Sequence, residues 1–198
     1  MVLKKYITPE NEKESKILPN LLKTSSKKII NEKEFEGFYY AEKFLLENLT
    51  SETKINLEYI KKIHKLALSE VYSFAGNFRK VNLSKDGFLF PSAMFIESSM
   101  KSLEKNFLNR INKKYRSINK LIKINAIIHA EFLFIHPFRE GNGRVARIIA
   151  NIIMYKNGFN RIRFEKLTGK NWNNYINAVQ AAGISDYTKM EKLFKKII

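Results

Sequence analysis

Apolar side chains recur at steps of three and four along most of the chain, which is the spacing of one buried face of a helix. This pattern predicts five long helices, at about residues 31–49, 57–72, 94–112, 118–135 and 145–157. Two or three short helices follow, at roughly residues 164–167, 171–182 and 186–197. The sequence therefore indicates an all-α protein.

The start of the first long helix carries a capping signal. Asn31 is a plausible N-cap, and Glu34 follows three residues later, as in a capping box. Ahead of it, apolar residues between 17 and 22 favour one short helix. We therefore divide the chain into an N-terminal extension, residues 1–30, and one helical domain, residues 31–198. His64, beside lysines in the second predicted helix, is interpreted as a structural or surface histidine.

One stretch, at about residues 79–91, has the two-residue period of a β-strand instead. Its alternating apolar residues are Val81, Leu83, Phe88 and Phe90. Asp86-Gly87 lies between the two arms and is a strong hairpin-turn signal. Because an isolated hairpin is marginally stable, it must pack on the helices. The expected fold is a single-domain helical bundle with one small β-hairpin.

The composition is that of a globular protein rather than a disordered one, with 44% hydrophobic and 28% charged residues. The absence of cysteine excludes a disulfide framework, a thiol nucleophile and a cysteine-based zinc site. The N-terminus lacks the apolar core of a signal peptide, and the longest apolar tract, 124–135, is broken by polar residues and too short to span a bilayer. We expect no membrane partner. The expected location is the bacterial cytoplasm, or a destination reached by translocation without a cleaved signal peptide.

The chain is strongly basic, with 36 Lys and Arg against 19 Asp and Glu and a formal net charge of +17. Such a field attracts nucleic acid, an anionic membrane surface or an acidic protein. The lysines are spread along the chain rather than gathered in one arm, which supports the alternative that the charge reflects a lysine-, isoleucine- and asparagine-rich proteome. The charge therefore indicates only that a controlling partner, if one exists, is acidic.

The most informative stretch runs from His136 to Arg147 and reads His-Pro-Phe-Arg-Glu-Gly-Asn-Gly-Arg-Val-Ala-Arg. Pro137 disfavours helical geometry at His136, so the preceding helix should end there and pass into a loop. Gly141 and Gly143 allow positive φ and close approach of a ligand, and successive amides in such a turn form an anion-binding nest. The N-terminus of the following helix adds its own amides. The stretch therefore predicts an anion site.

The polar side chains around this loop suit phosphate chemistry. Arg144 and Arg147 share a helix face, and their forked donors fit phosphate oxygens. Glu140 offers the carboxylate that a hard divalent cation needs. His136 has an ordinary pKa near neutrality and can accept a proton from a nucleophile. Each residue alone has a simple structural explanation, but together they favour a phosphate-binding catalytic site.

This stretch resembles the signature of the Fic family, His-Pro-Phe-x-Asp/Glu-Gly-Asn-Gly-Arg-x-x-Arg, and matches every fixed position. The resemblance implies a protein adenylyltransferase, which moves AMP from ATP to a Ser, Thr or Tyr hydroxyl of a target protein and releases pyrophosphate. It implies that His136 is the general base and Glu140 the Mg²⁺ ligand, and that Pro137 and Phe138 anchor the loop. The residues that it assigns to the phosphates of ATP are Gly141, Asn142, Gly143, Arg144 and Arg147.

The resemblance also gives the hairpin a role. In the family, a flap at this place holds the backbone of the target by strand addition, and Gly-x-Phe-Arg at residues 76–79 is family-like. The residues of this flap expected to contact the target are Lys80, Val81, Asn82, Leu83, Phe88 and Phe90. Asn151 and Tyr175 are candidates for the nucleotide pocket, although aromatic residues at the spacing of Trp172 and Tyr175 more often belong to a core.

Two other functions stay open at this point. Some family members transfer another phosphate-containing group, although Gly143 argues against the kinase-like branch, in which a lysine stands at this position. A non-enzymatic, basic nucleic-acid-binding helical module would explain the charge and predicts steep salt dependence. Such a module gives no reason for Glu140 or for the placement of His136.

Many Fic proteins are restrained by a helix bearing Ser/Thr-x-x-x-Glu-Gly/Asn, whose glutamate pairs with the second arginine of the signature. Residues 8–12 and the pair Glu36-Gly37 match this pattern only in part. Three alternatives therefore remain. The protein lacks self-inhibition, a separate small antitoxin-like protein places the glutamate beside Arg147, or the helix follows Ile198 in a longer product. An oligomer is compatible with each.

Overall fold

The computed structural model describes residues 17–85 and 87–198 and is built mainly of helices. The α-helices are α1 (Lys27–Glu47), α2 (Leu57–Leu68), α3 (Ile96–Leu103), α4 (Asn109–Ile111), α5 (Ile118–Ile135), α6 (Asn142–Lys156), α7 (Lys170–Ala181) and α8 (Thr188–Ile197). Two antiparallel strands, β1 (Ser84–Lys85) and β2 (Phe88–Leu89), form a hairpin. The predicted all-α bundle with a small hairpin is confirmed. Within the described residues, no helix has the length and apolar character to cross a membrane.

Helix α5 lies at the centre of the bundle. It is apolar on nearly every side, as expected for a helix surrounded by others, and it packs against α3, α6, α7 and α8. Helix α1 packs along α2, and both helices contact α6. This arrangement places the turn between α5 and α6 beside the first two helices.

The predicted helix at 94–112 is present as several consecutive segments. A 3₁₀ turn at Ala93–Phe95 leads into α3, and a π-helical segment at Glu104–Leu108 connects α3 to α4. The short helix expected at 164–167 is a 3₁₀ turn, Phe164–Lys166.

The predicted start of α1 is wrong. The N-cap is Ser26, whose hydroxyl accepts a hydrogen bond from the amide of Ile29 at 3.4 Å, so the boundary drawn at residue 31 falls inside the helix. Glu34 does not serve a capping box, because its side chain turns into the core. The short helix expected at 17–22 is absent, and the amide of Leu21 instead bonds to the carbonyl of Val71 at 2.8 Å. Residues 1–16, including the partial motif at 8–12, lie outside the described residues.

The hairpin is shorter than predicted. Its ladder pairs only Ser84 with Leu89 and Lys85 with Phe88, and Asp86 of the predicted turn lies outside the described residues. The segment at 80–83 is not in a strand: its carbonyl at Leu83 still accepts from the amide of Phe90 at 3.1 Å, but side chains bond to the backbone around it. Arg79 binds the carbonyls that flank the ladder on both sides, and Asn82 Oδ1 accepts from the amide of Ala93 at 2.8 Å.

Candidate active site

The loop between α5 and α6 begins with an unusual backbone conformation at His136. Helix α5 ends at Ile135, and His136 has φ 53° and ψ 57°, in the left-handed region. Its amide still bonds to the carbonyl of Phe132 at 3.0 Å, closing the helix. A non-glycine residue in this region costs on the order of 1 kcal/mol or more, and such strain concentrates at functional sites. The conformation turns the chain sharply towards Pro137.

The His136 imidazole is held in one tautomer. Nδ1 lies 3.0 Å from the carbonyl oxygen of Leu133 and therefore donates to it, which leaves Nε2 as the basic nitrogen. The ring stacks on Phe90 with centroids 4.0 Å apart. Burial lowers the pKa of His136 to about 3, and the positive charges of Arg79 and Lys85 act in the same direction. The imidazole is therefore neutral at pH 7, with its lone pair on the buried Nε2.

Phe138 lies where the sequence analysis placed the loop anchor. It is fully buried and stacks on His64 with ring centroids 3.9 Å apart. His64 Nδ1 accepts from the amide of Gly76 at 2.7 Å, so its Nε2 donates to the carbonyl of Glu140 at 3.1 Å. Burial lowers the pKa of His64 to about 4. His64 is thus a structural residue that braces this loop, a role that no sequence motif marks.

Asn142 closes the loop rather than facing its opening. Its Oδ1 accepts from the amide of Phe138 at 2.8 Å, and its Nδ2 donates to the carbonyl of the same residue at 2.7 Å. The side chain is fully buried. The side chain of Asn142 thus closes the loop in this structure, while the predicted phosphate contact of Asn142 stays a prediction.

Gly141 shapes the start of α6. Gly141 has φ 78°, and a Cβ there would come within 3.1 Å of both Phe38 and Leu68, so conformation and space both require glycine. Its amide donates to Glu140 Oε1 at 2.8 Å. No described residue accepts from the amides of Asn142 or Gly143. Two amides without a described acceptor, together with the helix dipole, make this end of α6 favourable for an anion.

The two arginines of α6 have different environments. Arg144 Nη2 donates to Glu34 Oε2 at 2.6 Å, and its guanidinium lies 4.4 Å above the Phe38 ring. The other oxygen of Glu34 accepts from the hydroxyl of Tyr72. Among the described residues, Arg147 has no hydrogen bond or ion pair. Arg144 is thus held by Glu34 in this structure, and the expectation that both arginines bind phosphate stays a prediction.

Arg147 lines a cleft of about 570 Å³ between α1, α6 and residues 161–165. Asn151 also lines it, and its Oδ1 accepts from the amide of Ile162 at 3.0 Å. Tyr175, the second predicted nucleotide contact, is elsewhere. It is 4% exposed and its hydroxyl donates to His129 Nε2 at 2.7 Å in the core. The assignment of Tyr175 to a nucleotide pocket is therefore wrong.

The expected flap residues divide into two groups. Lys80 is exposed, and Val81, Asn82 and Phe88 are partly exposed, whereas Leu83 and Phe90 are buried. The amide of Phe90 donates to the carbonyl of Leu83 at 3.1 Å. Of the expected flap residues, Phe88 alone lies in one of the two described strands.

Sequence reasoning missed the role of Arg79. This arginine is 4% exposed, and its Nε donates to the carbonyl of His136 at 2.8 Å. Its own amide donates to the carbonyl of Pro137 at 2.8 Å. The only sequence signal was its place in the Gly-x-Phe-Arg tract ahead of the hairpin.

The Fic/DOC family model matches residues 54–154. Protein adenylyltransferase VbhT of Bartonella schoenbuchensis is 30% identical over 139 residues, which are 70% of this chain and 29% of the relative. Protein adenylyltransferase Fic of Nematostella vectensis is 24% identical over 175 residues, 87% of this chain and 40% of the relative. This chain thus spans about a third of the length of these curated relatives.

Solved structures share the fold. The N-terminal FIC domain of Bep8 from Bartonella sp. 1-1C superposes with a TM-score of 0.77 at 18% identity, covering 94% of this chain and 93% of that one. BepC from Bartonella tribocorum, with bound AMPPNP, has a TM-score of 0.75 at 19% identity and covers 93% of each chain.

Proposed function

Because the chain belongs to the Fic/DOC family, we propose that it is a protein adenylyltransferase that transfers AMP from ATP to a Ser, Thr or Tyr hydroxyl of a target protein. The observation that carries this proposal is the relation of His136 to the start of α6. A neutral imidazole with a basic Nε2 opens the same short loop that ends in the two available amides of Asn142 and Gly143. A base and an anion site so close together suit proton removal beside a phosphate.

The proposed reaction is an in-line displacement at the α-phosphorus of ATP. The target hydroxyl gives its proton to His136 Nε2, and its oxygen forms a bond to the α-phosphorus. The bond between that phosphorus and the oxygen bridging to the β-phosphate breaks, and pyrophosphate leaves. Positioning and charge stabilisation by the amides and dipole of α6 supply most of the rate enhancement.

Gly143 supports a phosphate at this place. A Cβ added there would meet only Arg147 Nη1, at an ordinary contact distance of 3.7 Å. The protein alone therefore does not require glycine, whereas a ligand that approaches the backbone closely does. In the proposal, Arg147 binds the outer phosphates as they leave, since its guanidinium is not held by another described side chain.

The donor set also fits a magnesium ion. Mg²⁺ in nucleotide sites is usually bound by one or two carboxylates together with substrate phosphates. Glu140 is a partly exposed carboxylate, and its Oε1 is oriented by the amide of Gly141 at the mouth of the loop. When bound, the ion would neutralise phosphate charge.

The hairpin would present the target. In this two-stranded hairpin β2 is an edge strand, and its Leu89 is 63% exposed. An extended segment of the target that pairs with this edge is held by main-chain hydrogen bonds. Its hydroxyl side chain then lies near Phe90 and His136, which stack on each other.

Labelling with two forms of ATP tests the proposed reaction. The purified protein is incubated with Mg²⁺, a lysate and ATP labelled on the α- or the γ-phosphate. We expect α-label to enter target proteins, with an added mass equal to AMP, and His136→Ala to abolish it while remaining folded. Label from γ-ATP alone would indicate phosphate transfer instead. Salt-sensitive binding of duplex DNA without label transfer would indicate the nucleic-acid module.

We also propose that a small antitoxin-like partner restrains the enzyme through the cleft at Arg147. Phe35 and Tyr39 of α1 line this cleft and are 72% and 58% exposed. An amphipathic helix that covers them and carries a glutamate would compete with the outer phosphates for Arg147. Peptides with the Ser-x-x-x-Glu-Gly pattern should inhibit transfer, and the matched Glu→Gln peptide should not. The proposed place of action is a cytoplasm, bacterial or entered by translocation, because ATP is available there.

A further inference from the structure

Arg79 makes contacts that join three separate segments of the chain. Its Nη1 donates to the carbonyl of Val81 at 2.7 Å, and its Nη2 donates to the carbonyl of Pro91 at 2.6 Å. Its Nε bonds to the carbonyl of His136 at 2.8 Å, and Nη2 also reaches Ile135 at 3.4 Å. Every polar atom of the guanidinium thus bonds to a backbone carbonyl.

These carbonyls lie at the two ends of the hairpin and at the end of α5. Val81 and Pro91 flank the hairpin on its two sides, and His136 is the proposed base itself. The β-ladder between Val81 and Pro91 consists of two residue pairs, and a hairpin this short is not stable alone. The guanidinium therefore holds together the two ends of the flap and fixes both against the end of α5.

Arginine suits this task better than lysine does. Its planar fork reaches carbonyls on three sides at once, whereas an ammonium group is a single point of charge. Burial lowers the pKa of Arg79 to about 10, so the side chain still carries its full set of donors at neutral pH. The bond to the carbonyl of His136 also supports the strained left-handed backbone there.

We propose that Arg79 is a positioning residue that couples the target-binding flap to the His136 base, a role that rests on the adenylyltransferase function proposed above. Nothing in this network touches the amides of Asn142 and Gly143 or the side chain of Arg147. Loss of the coupling therefore misplaces the target hydroxyl relative to Nε2 but leaves the binding of ATP in place. A misplacement of about 1 Å typically costs on the order of 100-fold in rate.

The test compares Arg79→Lys and Arg79→Ala with matched substitutions at Arg116, an exposed arginine before α5. Amide hydrogen exchange reports the coupling without any need for activity. We expect the Phe90 and His136 amides to exchange faster in both Arg79 variants and at the wild-type rate in both Arg116 variants. Amides in the core of α5 and α6 should keep their protection.

Kinetics then separate positioning from support of the fold. In Arg79→Lys we expect kcat to fall about 100-fold and the KM for the target to rise, with an unchanged KM for ATP. Guanidinium ion at non-denaturing concentrations should restore part of the activity of Arg79→Ala, while tetramethylammonium at equal ionic strength should not. Neither ion should restore His136→Ala.

Two outcomes would overturn the proposal. One is unchanged exchange of the flap amides in Arg79→Lys, which would show that the flap is held without the guanidinium. The other is faster amide exchange throughout the protein together with a raised KM for ATP. That result would show that Arg79 only supports the fold. If the wild type transfers no AMP, the proposed function fails, and the exchange data alone still decide whether Arg79 couples the two segments.

Discussion

Glu34 Oε2 accepts a hydrogen bond from Arg144 Nη2 at 2.6 Å, which ties the middle of α1 to the start of α6. The side chain of Glu34 is 9% exposed, and its second oxygen is held by the hydroxyl of Tyr72. The first arginine of the loop helix is thereby used to fix the loop against α1. Of the two arginines expected at the phosphates, Arg147 is the one that the structure leaves available.

Glu34→Ala tests the structural importance of this ion pair. The substitution removes the partner of both Arg144 and Tyr72, and breaking a buried pair from one side typically lowers the free energy of unfolding by about 3 kcal/mol. Urea denaturation measures the change. Glu36→Ala, two residues along the same helix, is the control, because its salt bridge to Lys33 is exposed. An equal, small effect of both substitutions would contradict the buried tie.

Alanine substitution of each arginine separates their roles. Arg147→Ala should raise the KM for ATP about tenfold or more, because it removes a charged hydrogen bond to the nucleotide. It should leave the free energy of unfolding unchanged. Arg144→Ala should instead lower stability, since it strands the carboxylate of Glu34. Nucleotide titration and urea denaturation of both variants check this pair of outcomes. The reverse pattern would return the phosphate contact to Arg144.

The sequence was sufficient where structure depends on local signals. The bounds of α5 and the C-terminal end of α6 agree with the apolar spacing and the capping residues. The loop stretch was recognisable because its residues are consecutive. The hairpin was found but drawn too long, since alternation alone does not show that the side chains of Arg79 and Asn82 take over the pairing of the flanking backbone.

The rest of the site depends on contacts between distant parts of the chain. The bond from Arg144 to Glu34 joins residues 110 positions apart, and that from His64 to the carbonyl of Glu140 joins residues 76 positions apart. Such pairs follow from how α1 and α2 pack on α6, which helical periodicity does not specify. Tyr175 lies on an amphipathic helix, where an aromatic residue is more often part of a core than of a pocket. Its hydrogen bond to His129, which the sequence does not show, places it in the core.

Tyr175→Phe tests the corrected assignment. His129 Nδ1 donates to the carbonyl of Ala146, so its Nε2 depends on the Tyr175 hydroxyl as a donor. Loss of that hydroxyl should lower the free energy of unfolding by about 1 to 2 kcal/mol and leave the KM for ATP unchanged. A raised KM at wild-type stability would place Tyr175 at the nucleotide after all.

The stability of the protein should fall steeply in mild acid. The chain has three histidines, and burial lowers the pKa of His64 to about 4 and those of His129 and His136 to about 3. Their ordinary pKa is about 6.5, so the unfolded chain binds the protons first. The three neutral histidines contribute their full stabilisation above pH 6.5. As the pH falls from 6.5 towards their pKa values in the folded protein, the free energy of unfolding decreases by about 4 kcal/mol per pH unit for the three together.

Urea denaturation between pH 7 and pH 5 measures this slope, and a variant with one histidine fewer provides the control. His129→Gln should reduce the slope to about two thirds of its wild-type value. A wild-type slope near zero would mean that the folded protein carries charged imidazoles, which would remove the neutral base from the mechanism.

Phe90 determines whether His136 stays neutral in the proposed reaction. The Phe90 ring covers the imidazole at 4.0 Å, and burial is the main cause of the lowered pKa. Phe90→Ala should admit water and raise the pKa of His136 towards 6.5, because hydration stabilises the charged form. The wild-type rate should show no loss from His136 protonation between pH 8 and pH 6, whereas the variant should lose activity progressively below about pH 6.5.

Phe88→Ala is the matched control, since this ring packs on Phe90 and Phe134 rather than on His136. The rate of Phe88→Ala should therefore differ from the wild-type rate by the same factor at every pH. A pH profile of Phe90→Ala parallel to that of the wild type would show that the pKa of the base does not depend on this ring.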